Sequence, residues 1–135
     1  MKIDNQFDPI DIAISGIKAQ AKSIKVISTN VANAQTADNG SGQPYRRLEA
    51  VFKASDEDLG PVSIEELAAD MSTGFPRVLK PGHPMADKDG YVAMPNVSIP
   101  SEMISLNIAA RNYQANVAIL KRYQQVVETS LELLK

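Results

Sequence analysis

The chain has 135 residues, no cysteine and a formal net charge of −2. That length suits one domain with its own core. Missing thiols exclude disulfides, thiolate metal sites and cysteine nucleophiles, and the charge balance leaves no basic footprint for nucleic acid. No run of about 20 apolar residues could span a bilayer. Asp4, Asp8 and Asp11 interrupt the N-terminal segment, so it does not read as a cleaved secretory signal, and no direct membrane insertion is expected.

The first predicted element opens at Asp8-Pro9. Aspartate accepts from free N–H groups at a helix start, and proline fits the first helical position. Phe7, Ile10, Ile14, Ile17, Ala21, Ile24, Ser28 and Val31 then follow alternating three- and four-residue steps. The spacing predicts a helix from about Pro9 to Ala34, roughly 39 Å long. Its other face carries Ser15, Ala19, Gln20, Ser23, Thr29, Asn30, Ala32 and Asn33, with Lys18, Lys22 and Lys25 in one line.

Residues 36–44, TADNGSGQP, are turn chemistry throughout. YRRLEAVFKA and PVSIEEL read as short strands, the second with an option to turn helical across SIEELAAD. FPRVLK and YVAMP complete a small β-rich insert, with Pro76 and Pro95 at strand ends. Residues 35–100 hold six basic against ten acidic residues, so the insert is acidic while each terminal segment is slightly basic.

After Pro100-Ser101, a break and an expected N-cap, the three-four rhythm returns. Met103, Leu106, Ala110, Tyr113, Val117, Leu120, Gln124, Val127 and Leu131 carry it almost to the chain end. Two long stripes at opposite ends of a chain bury each other most economically. The predicted fold is therefore α+β: terminal helices (1–35 and 101–135) paired as an antiparallel coiled-coil hairpin, with a loop and β-rich insert (36–100). Its expected core is Phe7, Ile10, Ile14, Ile17, Ile24 and Val31 against Met103, Leu106, Tyr113, Val117, Leu120, Val127 and Leu131. The small and amide side chains of the backs resist desolvation less than charges do. A second contact face is expected there, at Asn30, Ala32, Asn33, Tyr113, Gln114, Ala115, Asn116 and Val117.

Several stretches invite a catalytic reading. Ser15-Gly16-Ile17-Lys18 has the serine-x-x-lysine spacing of a nucleophile and base but lacks the accompanying motifs. Gly40-Ser41-Gly42 lacks the lysine and following helix of a phosphate cradle. In PGHPMADKDGYVAMPNV, residues 81–97, His83 precedes Asp87 and Asp89. One histidine cannot make a two-histidine zinc site, and Asp-Lys-Asp-Gly lacks the further oxygen ligands of a calcium loop. Asp-Gly ahead of alternating Tyr91, Val92, Ala93 and Met94 is instead a turn into a strand. Pro81, Gly82, Pro84 and Gly90 are read as chain-reversing residues. No metal, cofactor or catalytic residue is expected.

Four stretches in order resemble the flagellar axial proteins, the rod, hook and filament family, and among them the proximal basal-body rod proteins. STNVANAQT, GQPYRR followed by AVF, PGHPMADKDGYVAMPNV and ARNYQANV together span residues 28–117. In the third, Pro81, Gly82, Pro84, Gly90, Tyr91, Pro95 and Asn96 carry the likeness. Lys80 departs from it, standing where an acidic residue is common, and PVSIEELAAD matches loosely. The resemblance implies a non-enzymatic subunit without cofactor, exported through the flagellar type III apparatus without a cleaved signal. It implies assembly with copies of itself and other rod subunits into the periplasm-spanning drive shaft. Two other classes remain open on residues alone: a cytosolic helical adaptor binding a partner helix, and a small hydrolase using His83 with Asp87 or Asp89.

Overall fold

A computed structural model of the chain describes residues 9–54 and 60–133; Phe7 and Asp8 fall outside them. The elements run α1 (Pro9–Ala32), β1 (Leu48–Ala54), β2 (Val62–Ala69), β3 (Arg77–Leu79), β4 (Tyr91–Ala93) and α2 (Ile99–Glu132). The class is α+β, two terminal helices with small antiparallel sheets between them.

Helix α2 starts two residues earlier than expected. Ser98 is its N-cap, its C=O accepting from Glu102 N–H at 2.9 Å, and Pro100 sits inside the first turn. A proline there removes an N–H that has no intrahelical partner in any case, so it does not break the helix.

β1 and β2 pair from Leu48↔Ala69 to Ala54↔Val62, with the register shifting between Val51 and Phe52. Glu66 pairs with Val51 and Ile64 with Phe52, leaving Glu65 as the extra residue of a bulge. The helical option for SIEELAAD is not taken: β2 continues to Ala69. Pairing along all of β1 outweighs the modest helix preference of glutamate, leucine and alanine. Ser15 pins this hairpin to α1, its Oγ donating to Ile12 C=O at 2.7 Å and accepting Val62 N–H at 3.0 Å. The hydroxyl of the serine-x-x-lysine match is thus occupied by backbone.

β3 and β4 form a second hairpin, with Arg77↔Ala93 and Leu79↔Tyr91 as its outer pairs. Val92 and Met94 pack beneath it with Ala37 and Ala86. The linker that brings Ala37 there is closed by Asp38, whose Oδ1 accepts from Gly40 and Gly42 N–H, each at 2.8 Å. Both glycines adopt positive φ, a conformation open to them because they lack Cβ.

The two helices lie side by side and antiparallel. Near one end Asn30 meets Glu102; near the other Gly16 faces Asn116 so closely that a Cβ on Gly16 would stand 2.7 Å from Asn116 Nδ2. The residue numbers in each pair add to the same value, so one register runs the length between them. Gln20, Ser23 and Ile27 of α1 and Ser105, Ile108, Ala109 and Asn112 of α2 line the cleft in between, with Phe52 of β1. Around the buried Ile27, most of the seam is made of small and amide side chains. The isoleucine stripe of α1 lies about a quarter turn away. Ile10, Ile14, Ile17, Ile24 and Val31 are half-buried on its flank, as are Leu106, Tyr113, Val117 and Leu120 on α2, while Met103, Val127 and Leu131 are exposed. The reason lies in α1 serving two neighbours: one face holds the β1–β2 hairpin and another α2, and only small residues let α2 come this close.

Candidate functional site

Where α1 ends, β1 begins and α2 starts, four polar side chains converge. Glu102 is fully buried and Asn30 nearly so. Asn30 Nδ2 donates to Leu48 C=O at 2.8 Å and to Glu102 Oε2 at 3.1 Å. Its Oδ1 accepts from Leu48 N–H and from the Tyr45 hydroxyl, both at 2.9 Å. The asparagine thus pairs with Leu48 backbone as a neighbouring strand would, while its remaining bonds reach Tyr45 and α2. Glu102 Oε1 accepts from Arg47 Nε at 2.5 Å, and Arg47 also pairs with Glu49. Burial works against the Arg47 charge, yet its hydrogen bonds to Glu102 and Glu49 hold its pKa above the ordinary value. Burial, then the Glu102 charge, pushes the Tyr45 phenol up. Both groups are held in the forms that donate.

A second polar centre adjoins the first through Asn96. Its Oδ1 accepts Arg47 N–H at 2.9 Å, and its Nδ2 donates to Asp70 C=O at 3.2 Å. Arg46 reaches the same turn, donating to Asp70 C=O at 2.8 Å, with its guanidinium 4.2 Å from the Phe75 ring centroid. Among the described residues no buried side-chain nitrogen or oxygen lacks a partner. The chemistry here is cross-linking: both helices and both hairpins are tied together by bonds that are all satisfied.

The His83 segment is a turn. His83 Nδ1 accepts Met85 N–H at 3.1 Å. Asp87 Oδ1 accepts from Asp89 and Tyr91 N–H, each at 2.9 Å, and its other oxygen pairs with Arg77. Gly90 has φ +81°, and a Cβ there would press on the Pro81 ring at 3.3 Å, so glycine is needed on both counts. The Tyr91 N–H, then Asp89 N–H and the Arg77 charge, hold the Asp87 carboxyl below the usual carboxylate range. Because the folded value is depressed, its stabilisation is present above the unfolded value of about 4. It is lost as pH falls through the lower folded value. We expect the Tyr91 and Asp89 amide NMR shifts to be flat above about pH 5 and to move together in acid. In Asp87→Asn that acid step should vanish; a step that persists would assign it to another group.

The expected contact residues fall into three settings. Asn30 and Asn116 face the intramolecular seam. Asn33 is tied locally, donating to Thr29 C=O at 2.9 Å and accepting from the Thr36 hydroxyl at 3.2 Å. Ala32, Gln114 and Ala115 are exposed, and Tyr113 and Val117 half-buried. Sequence reasoning missed Arg47 and Glu102, although Arg47 lies in the quoted GQPYRR stretch. Glu102 stands seven residues before Ala109, which in turn stands seven before Asn116. That heptad of small and polar residues was the available signal. It also missed an outer stripe of α2: Ile104, Ile108, Ile119 and Val126 are all more than half exposed. With Ala115 they recur at spacings of four and seven, one helical face.

Residues 88–133 match the family described as flagellar basal body rod FlgEFG protein C-terminal. Over nearly the whole chain the sequence is similar to proteins named flagellar basal-body rod protein FlgC. The protein of Yersinia enterocolitica is 36% identical, the match covering 91% of this chain and 93% of the relative. That of Salmonella typhimurium gives the same figures. The Aquifex aeolicus protein is 31% identical over 96% of this chain and 97% of its own length.

Proposed function

The chain belongs to the FlgC family of flagellar basal-body rod proteins, and from that membership we propose how it works: as a non-enzymatic subunit that polymerises through its terminal helices. In this reading residues 1–35 and 101–135 form the axial part and residues 36–100 an insert contacting neighbours. The helices complete coiled-coil packing on assembly, when the flanking stripes of α1 and α2 gain partners. Its partners are copies of itself and other rod subunits, after export through the flagellar type III apparatus without a cleaved signal. The assembled rod spans the periplasm and transmits torque through many small contacts rather than through one site. No helix among the described residues is long and apolar enough to cross a membrane.

The observation that carries this reading is the outer stripe of α2. Four large apolar residues on one face, each more than half exposed, are what a subunit contact requires and what an isolated chain gains nothing from. Ala115 lies within the stripe, where its small side chain fits a close helix contact, and Gln114 is exposed beside it; Asn30 and Asn116 act within the chain. The test is Ile108→Asp with Ile119→Asp. Both sites are exposed, so the monomer should unfold within about 1 kcal/mol of wild type. Export should continue while rod assembly and motility are lost, because a charge would be buried at the contact. Wild-type motility would overturn the assignment of this face. A cytosolic adaptor could present the same stripe, but its location would not change when the type III apparatus is deleted.

A further inference from the structure

The charged line of α1 finds no counterpart within its own chain. Asp11, Lys18 and Lys22 stand seven and four residues apart, so each lies a whole number of helical turns from the others along one exposed line. That line borders a groove of about 340 Å³ between α1 and β2, lined also by Ile14, Val62 and Ile64. The far end of α2 carries the opposite charges at the same spacing: Lys121, Glu128 and Glu132, all exposed. Among the described residues none of these six side chains has an ion-pair partner. Laid parallel at one constant offset, Asp11 meets Lys121, Lys18 meets Glu128 and Lys22 meets Glu132. Lys25, the last of the line, then falls beyond residue 133, the last described. An antiparallel alignment still matches both lysines of α1 with the glutamates but leaves Asp11 and Lys121 unmatched.

We propose that the groove between α1 and β2 receives the C-terminal end of α2 from a second copy of this chain, the two helices running parallel. One chain cannot make this contact with itself, because its own helices are antiparallel. In the register of the Asn30–Glu102 and Gly16–Asn116 pairs, residues 124–132 lie past Pro9, the first described residue of α1. Val127 and Leu131, next to the two glutamates, are 40% and 58% exposed and give the contact apolar area to bury. Exposed ion pairs add little affinity each, so the charges choose the partner and its direction. The two surfaces differ, which makes the contact heterologous; repeated without closing into a ring, it builds an open row of subunits. This contact rests on the assembly reading and adds a second, charged surface to the outer stripe of α2.

Charge exchange in the full chain tests it, read as the amount of chain recovered in isolated rods. Lys18→Glu with Lys22→Glu should lower recovery at least about tenfold, since two attractive pairs become repulsive. Glu128→Lys with Glu132→Lys should do the same. All four substitutions together restore the pairs in reverse, and recovery should return to within about twofold of wild type. Asp11→Lys should lower recovery about threefold and added Lys121→Glu should restore it, which only the parallel alignment allows. All six sites are exposed, so urea midpoints of the purified variants should match wild type. Where a reversal does shift the midpoint, Lys18→Gln with Lys22→Gln takes its place, and adding Glu128→Gln with Glu132→Gln should then cost nothing further. Unchanged recovery in either reversed pair, or no return when all four are combined, would overturn the contact. Neither result touches the assembly reading, which Ile108→Asp with Ile119→Asp tests separately. Absence of the wild-type chain from isolated rods would overturn that reading and the contact with it.

Discussion

Asn30→Ala is expected to lose about 3–5 kcal/mol of stability, far more than its size would indicate. Four hydrogen bonds disappear at once: two with Leu48 backbone, one from the Tyr45 hydroxyl and one to Glu102. The larger part of the cost comes from what is left behind. Glu102 stays without exposed surface and keeps only Arg47, and each buried group left unpaired costs about 1–3 kcal/mol. Urea denaturation should show a lower midpoint with unchanged slope, the mark of lost stability in an otherwise similar fold. A loss below about 1 kcal/mol would mean that water or another side chain readily replaces the asparagine.

The second large effect is expected at Gly16. Leucine there must push α2 away, since even a bare Cβ would lie 2.7 Å from Asn116 Nδ2 and 3.3 Å from its Cγ. Overpacking of this kind costs about 1–3 kcal/mol. Alanine is a different case. It gains about 1 kcal/mol of helix preference over glycine, and the atoms it meets are the movable end of one side chain, so Gly16→Ala should be close to neutral. The contact is checked by a double-mutant cycle: Asn116→Ala should recover at least about 1 kcal/mol in the Gly16→Leu background. Simple additivity of the two changes would place the strain elsewhere than between these residues.

Both predictions concern positions whose identity was plain in the sequence and whose partners were not. Asn30 stands in a stretch resembling axial proteins, which points it to contacts between subunits. Its bonds are instead to Tyr45, Leu48 and Glu102 within the chain. The reason is geometric. Helical period tells which residues share a face, but α1 has two occupied faces, and nothing in the spacing says which neighbour takes which. The isoleucine stripe has the larger hydrophobicity, so spacing alone points to it as the seam. Close approach decided otherwise, because α2 packs against the side that presents Gly16 and Ser23. The stripe was left half-buried beside it.

The local elements were legible because local chemistry determines them. Pro9 and the three-four rhythm set α1, and Pro76 and Pro95 bound the second hairpin. Asp87 with Gly90 makes the turn into β4 through bonds spanning at most four residues. The α+β class follows from that order alone. The tertiary structure decided the burial of Glu102. A glutamate in a first helical turn is ordinarily a solvated charge, and only partners 55 and 72 residues away in sequence make its burial tolerable. It likewise decided which apolar residues remain outside, Ile104, Ile108, Ile119 and Val126 among them. Exposure depends on where the other helix and the hairpin come to rest, and no spacing along one helix contains that information.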